Sequence, residues 1–197
     1  MLPPHAFLGS TRRVEAVDPQ VEEWMAAKTG NFAYVSFGSF LSVRGDVLRR
    51  VAEALVRIGM PAAIATGSTS PADLGPLPDG WLVRDYLPQV RLLSAAGLAV
   101  THGGNNSVTE AIGQGVPLLV LPFSTDQFAG AAAIERTGFG RAVDPNSATV
   151  DDLAAALAHV REIAGMPALR AVARDQAERP GPQIAYELLR ASDPATS

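Results

Sequence analysis

The sequence predicts a doubly wound, Rossmann-like parallel α/β sheet, and three observations lead to it. Short apolar strands alternate with amphipathic helices along most of the chain, the order that right-handed βαβ units require. The strands lack clean polar alternation, as expected of a sheet buried on both faces. Candidate polar residues fall just after strands, where open α/β sheets bind ligands.

The elements follow in order. Met1 to Ala16 has no clear period and carries Pro3 and Pro4, so it reads as an arm or linker. Asp18-Pro19 opens a short helix, with Asp at the N-cap and Pro at the first helical position, and Gly30 terminates it. Phe32 to Phe37 (FAYVSF) is a buried strand running into Gly38-Ser39. In Asp46 to Ile58 the apolar residues Val47, Leu48, Val51, Leu55 and Ile58 have helical spacing. Ala62 to Thr66 is a second strand, Ser68 to Gly80 a loop rich in Pro, Gly and Ser, and Trp81 to Tyr86 a third strand.

Leu87 to Ala95 forms a short helix, Leu98 to Thr101 a fourth strand, Ser107 to Gln114 a helix, and Pro117 to Leu121 a fifth strand. Gln127 to Thr137 is helical and Gly140 to Val143 a sixth strand. Thr149 starts a helix with the capping-box pattern Thr-x-x-Asp, running to about Ile163. Met166 to Glu178 is a further helix, broken by Pro180-Gly181-Pro182, and Ile184 to Ala191 is a last, separate one. The expected plan is an arm over residues 1–16, one sheet domain over 17–180 and a tail helix within 181–197.

Composition narrows the function. A chain of 197 residues with 47% hydrophobic and 18% charged residues suits one large globular domain. The net charge of −4, without a basic block, argues against nucleic-acid binding. With no cysteine there is neither a disulfide framework nor a thiolate metal site, which is compatible with a reducing cytoplasm. No apolar run reaches membrane-spanning length, and the first residues lack the apolar core of a signal peptide. The first strand ends Phe-Gly-Ser-Phe-Leu, neither Gly-x-Gly-x-x-Gly nor a Gly-Lys-Ser/Thr loop. No Asp-x-Asp pair and no His/Asp/Glu cluster has metal-ligand spacing.

Chemistry concentrates between Tyr86 and Gln127, which read YLPQVRLLSAAGLAVTHGGNNSVTEAIGQGVPLLVLPFSTDQ. His102-Gly103-Gly104-Asn105-Asn106-Ser107 joins a strand to a helix. Glycines there admit close backbone approach, and the helix start offers free N–H groups and the positive end of its dipole to a phosphate. Gly103 and Gly104 also suit a plain tight turn, and Ser107 with Glu110 fits a structural capping box, Ser-x-x-Glu. His102 is a packed strand-end histidine or, beside a phosphate loop, a donor to a diphosphate. Tyr86 and Gln89 form a hydrophobic plug before a helix, or a stacking face with an amide beside it. Asp126 and Gln127 are helix N-terminal residues, or the acceptor and donor that sugar hydroxyls need.

The order Tyr86-x-Pro88-Gln89, Gly97, His102-x-Gly104-x-Asn106-Ser107, Glu110, Gly115-Val116-Pro117, Pro122, Asp126-Gln127 resembles the donor-binding signature of the GT-B glycosyltransferases of family 1. That family includes plant secondary-metabolite enzymes and bacterial macrolide and antibiotic glycosyltransferases. His5 to Gly9 looks like the end of the family's interdomain linker, and Val35 to Ser39 like the first strand and phosphate-proximal turn of its C-terminal domain. The resemblance covers nearly the whole chain. Tyr86 stands where many members have Trp, and Asn105, where plant members have Trp, fits bacterial relatives.

The resemblance implies a role for each residue. Tyr86 and Gln89 would meet the base and ribose, and Glu110 the ribose. His102, Asn106 and Ser107, with Gly104 and nearby Ser39, would hold the diphosphate, and Asp126 and Gln127 the sugar. It implies a UDP-sugar or dTDP-sugar donor, no cofactor and no metal, and inversion at the anomeric carbon. The acceptor pocket and catalytic base would lie on an N-terminal domain that the chain lacks, so the expected partner is that domain, in the same polypeptide or a separate subunit. The chain alone is then expected to transfer no sugar. Two other functions share these features: a GT-B-type nucleotide-sugar epimerase, and a non-catalytic nucleotide-binding module.

Overall fold

The computed structural model describes residues 13–28, 32–38 and 44–191. Six strands form one all-parallel sheet: β1 Ala33–Ser36, β2 Ala62–Ala65, β3 Leu82–Arg84, β4 Leu98–Thr101, β5 Leu118–Val120 and β6 Gly140–Ala142. Their spatial order is β3-β2-β1-β4-β5-β6, so the winding direction reverses between β1 and β4. The predicted doubly wound architecture is therefore present. At the reversal Ser36 lies in register with Thr101, and the two strands end side by side. This is the switch point at which such sheets hold ligands.

Eight helices are described: α1 Pro19–Lys28, α2 Gly45–Arg57, α3 Gln89–Leu93, α4 Asn105–Gly113, α5 Thr125–Thr137, α6 Val150–Glu162, α7 Pro167–Glu178 and α8 Gly181–Ala191. Alternate strand residues face opposite layers. Val35, Ile64, Val100 and Leu119 pack with Val47, Leu48, Leu55, Leu153 and Leu157 of α2 and α6. Tyr34, Ala63, Ala99, Leu118 and Val120 pack with Leu92, Leu93, Ile112 and Leu169 of α3, α4 and α7. Both faces are thus covered, which explains the strands' missing polar alternation. Leu157 is fully buried between α6 and the sheet. Leu157→Ala should cost about 2–5 kcal/mol of stability, read as a lower urea midpoint with an unchanged slope.

Local chemistry fixes the ends. Asp18 Oδ1 accepts from the N–H groups of Gln20 and Val21, at 3.0 and 3.3 Å, and its Oδ2 accepts from Arg84 Nη1 at 2.7 Å. The α6 capping box is present: Thr149 N–H donates to Asp152 Oδ2 at 2.9 Å, and Asp152 N–H to Thr149 Oγ1 at 3.2 Å. Gly30, expected to end α1, lies outside the described residues, as do His5 to Gly9.

Several boundaries differ from the sequence reading, and three of the differences have a clear consequence. The loop over 68–80 contains a single 3-10 turn, Pro71–Leu74, which buries Leu74. The break before the last helix sits at Arg179-Pro180, and α8 starts at Gly181, because Pro182 fits the first turn of a helix. The helix after β4 begins at Asn105, two residues before Ser107. On α8, Tyr186, Leu188 and Leu189 are exposed.

Candidate functional site

Two polar residues shape the mouth of the switch point. Ser36 Oγ accepts the Gly38 N–H at 3.2 Å, and Thr101 Oγ1 accepts the Gly103 N–H at 3.3 Å. Each strand thus ends in a hydroxyl that bonds the backbone two residues on, a side-chain turn that lets the chain leave the sheet sharply. Gly38 and Gly103 both have positive φ, 69° and 89°, which glycine adopts without steric cost.

The His102 ring lies between these turns. A Cβ at Gly104 would fall 2.4 Å from His102 Nε2, and one at Gly38 would fall 3.2 Å from Cε1. Only glycine at 104 leaves the ring its place. His102 Nδ1 lies 3.5 Å from the Thr101 hydroxyl. Burial pushes the imidazole pKa below the ordinary histidine range, and the Asp126 carboxylate partly offsets this.

Gly104, with extended φ −60° and ψ 141°, is the N-cap of α4. Ser107 is therefore the third helical residue and cannot cap it. The expected Ser107–Glu110 capping box is absent, and both side chains serve elsewhere. Ser107 Oγ lies 3.5 Å from Gln89 Oε1, and Gln89 Nε2 donates to Glu110 Oε2 at 2.5 Å. Tyr34 Oη donates to Gln89 Oε1 at 3.4 Å, and burial pushes this phenol's pKa up.

Most of these groups line a cleft of about 560 Å³. Tyr86, Gln89, His102, Gly104, Asn106, Ser107 and Gln127 all contribute to its wall. Tyr86 is 68% exposed at the rim. Glu110 stands behind Gln89 rather than in the wall; its side chain is only 6% exposed. Asp126 is exposed beside the cleft. Gln127 is buried, and its Oε1 accepts from the Phe123 and Ser124 N–H groups at 2.8 and 3.2 Å, so it helps to cap α5. Ser39 lies outside the described residues. A second hollow of about 360 Å³, at the other end of the sheet beside Gly97, Gly115 and Arg170, holds none of the predicted site residues.

Residues 1–166 match the family model described as "UDP-glucoronosyl and UDP-glucosyl transferase". The chain belongs to this glycosyltransferase family. It is 34% identical over 129 residues to the oleandomycin glycosyltransferase of Streptomyces antibioticus, covering 64% of this chain and 30% of that one. Identity to the demethyllactenocin mycarosyltransferase of Streptomyces fradiae is 31% over 132 residues, covering 66% and 29%. Among solved structures, the glycotransferase of kitacinnamycin superposes with a TM-score of 0.74 at 27% identity, covering 98% of this chain and 48% of that one. The forosaminyltransferase SpnP superposes at 0.75 and 24% identity, covering 92% and 48%, which shows the fold. The chain thus spans under a third of the curated relatives and about half of these structures. It has the fold of the C-terminal half of a GT-B glycosyltransferase, as the resemblance implied.

Several cleft residues were not anticipated, among them Arg13, Glu15 and Tyr34. Arg13 and Glu15, which line the cleft, fall in the stretch read as an arm. Arg13 holds Glu110 through two bonds, Nε to Oε1 at 2.6 Å and Nη2 to Oε2 at 2.8 Å. Burial works against ionisation of Glu110, but the bonds from Arg13 and Gln89 outweigh it, and its pKa lies below the ordinary carboxylate value. Tyr34 was read as core. No local pattern marks a contact 97 residues apart in sequence, nor a strand tyrosine whose hydroxyl reaches the wall.

Among the described residues, no helix is long and apolar enough to cross a membrane, and no group of three or more His, Asp or Glu side chains is arranged to hold a metal ion.

Proposed function

We propose that this chain binds the nucleoside diphosphate of a nucleotide-sugar, UDP- or dTDP-linked, as the donor half of an inverting glycosyltransferase. The observation carrying this is the His102 ring set between the Gly38 turn and the Gly104 N-cap of α4, inside the switch-point cleft. A helix N-terminus supplies oriented N–H groups and a positive dipole end. An imidazole adds a donor that gains charge when an anion approaches.

The other residues follow along the cleft. Tyr86 stacks on the base. Gln89 and Glu110 meet the pentose. Asn106, Ser107 and the Gly104 backbone hold the diphosphate with His102, and Ser39 follows the β1 turn. Asp126 and Gln127 take sugar hydroxyls. In the complete enzyme, an acceptor oxygen forms the new bond to the anomeric carbon as its bond to the diphosphate breaks. The leaving diphosphate takes the electron pair, and the acceptor proton goes to a base on a partner domain. Donors fixed where negative charge grows lower the barrier; here His102 and the start of α4 fill that role without a metal ion. The oleandomycin, demethyllactenocin and kitacinnamycin transferases among the chain's relatives favour a natural-product acceptor.

Calorimetry of the chain with UDP, dTDP and AMP tests the reading. Both diphosphates should bind and AMP should bind at least about tenfold more weakly, since the diphosphate contacts include charged hydrogen bonds. A folded chain that binds none of them sinks it. Mixed with donor and candidate acceptors, the chain alone should release no UDP.

A further inference from the structure

Glu110 stands behind two residues of the cleft wall, Arg13 and Gln89. The guanidinium lines the cleft while the carboxylate lies behind it, 6% exposed. A carboxylate offers roughly four lone-pair positions. Arg13 Nε takes one on Oε1, and Arg13 Nη2 and Gln89 Nε2 take both on Oε2. One position on Oε1 remains. Gln89 cannot easily turn away, because its own carbonyl is held by Tyr34 Oη at 3.4 Å and lies 3.5 Å from Ser107 Oγ. Arg13 is the freer partner: its side chain is 50% exposed, and it also lies 3.8 Å from Glu15 Oε1. That Glu15 oxygen is buried without a hydrogen-bond partner, so it can receive a shifted guanidinium.

We propose that Arg13 is a specificity-determining residue of the donor cleft: by occupying Glu110 it removes the acceptor that a ribose 2′-hydroxyl would use, and so favours 2′-deoxyribose diphosphates. This rests on the donor-site reading above. A ribose presents two hydroxyls to a carboxylate with one free position, so it must displace Arg13 or leave one hydroxyl without a charged acceptor. A 2′-deoxyribose presents one and leaves Arg13 where it is.

The test compares UDP with dUDP, which differ only in the 2′-hydroxyl, by calorimetry on the wild-type chain, Arg13→Met and Arg13→Lys. The quantity read is the ratio of the two dissociation constants, in which any shared effect of the substitution cancels. In Arg13→Met the ratio should move toward UDP by about tenfold, the scale of one hydrogen bond to a charged group. Arg13→Lys, which keeps the charge but not the two-pronged grip, should move it part of the way. A shift below about threefold in Arg13→Met overturns the proposal while leaving the donor site intact. Binding of neither nucleotide to the folded wild-type chain overturns the donor site and this proposal with it.

Discussion

His102→Ala should weaken UDP and dTDP binding by about tenfold or more, the loss of one hydrogen bond to a charged group. The ring is held by glycines at positions 38 and 104 and by the nearby Thr101 hydroxyl, so it adds a donor to the start of α4 at little cost in ordering. His102→Asn keeps an amide donor and should recover part of the loss, whereas a merely space-filling role would give no such recovery. The same residue predicts a pH dependence. Burial lowers its pKa, against a smaller opposing effect of Asp126, so the free folded chain holds the ring neutral at pH 7. The unfolded chain takes up this proton near pH 6.5. This group's contribution to stability is therefore complete above about pH 6.5 and lost as pH falls toward the depressed folded value. A bound diphosphate reverses the preference, because a nearby negative charge favours imidazolium. Binding should then take up a proton, and affinity should rise from about pH 8 to about pH 6. Calorimetry in buffers of different ionisation heat reads this directly; proton uptake that survives in His102→Ala would place its source elsewhere.

Sequence and structure agree wherever one physical cause dominates. Buried apolar runs such as FAYVSF and LAVT leave no alternative to a central parallel strand, and all six strands lie where the pattern placed them. Asp18 and Thr149 cap their helices because each has a backbone N–H within reach; Asp18 caps with Oδ1 while its Oδ2 takes the Arg84 guanidinium. At Ser107 the local signal misleads. Ser-x-x-Glu is a good cap in isolation, yet Glu110 is drawn to Arg13 and Gln89, and Gly104 caps a helix that begins at Asn105, two residues before Ser107. Tertiary charge pairing overrides a local motif there, and the same contact makes Arg13 invisible to any short window. Gln127 shows the opposite case: its side-chain carbonyl is a cap, and its place in the cleft wall is a consequence of that structural role.

Gly103→Ala should destabilise the chain by about 2–4 kcal/mol and abolish diphosphate binding, whereas Gly104→Ala should weaken binding by about tenfold, as His102→Ala does, at a stability cost below about 1 kcal/mol. The two glycines are neighbours, but what surrounds them differs. At Gly103 φ is +89°, and an added Cβ would lie 2.8 Å from Val120 Cγ1 and 3.3 Å from the Gln127 carbonyl oxygen. Left-handed strain then adds to overpacking against a fully buried strand and the backbone of α5, neither of which can yield cheaply. At Gly104 φ is an ordinary −60°. The three nearest atoms there all belong to the His102 ring, with Nε2 at 2.4 Å, and a side chain can rotate away. The rotation vacates the spot from which His102 addresses the start of α4. Thermal unfolding and UDP calorimetry on the two variants separate the effects. Should Gly104→Ala keep wild-type affinity, the His102 ring does not act where the structure puts it, and the diphosphate rests on backbone N–H groups alone.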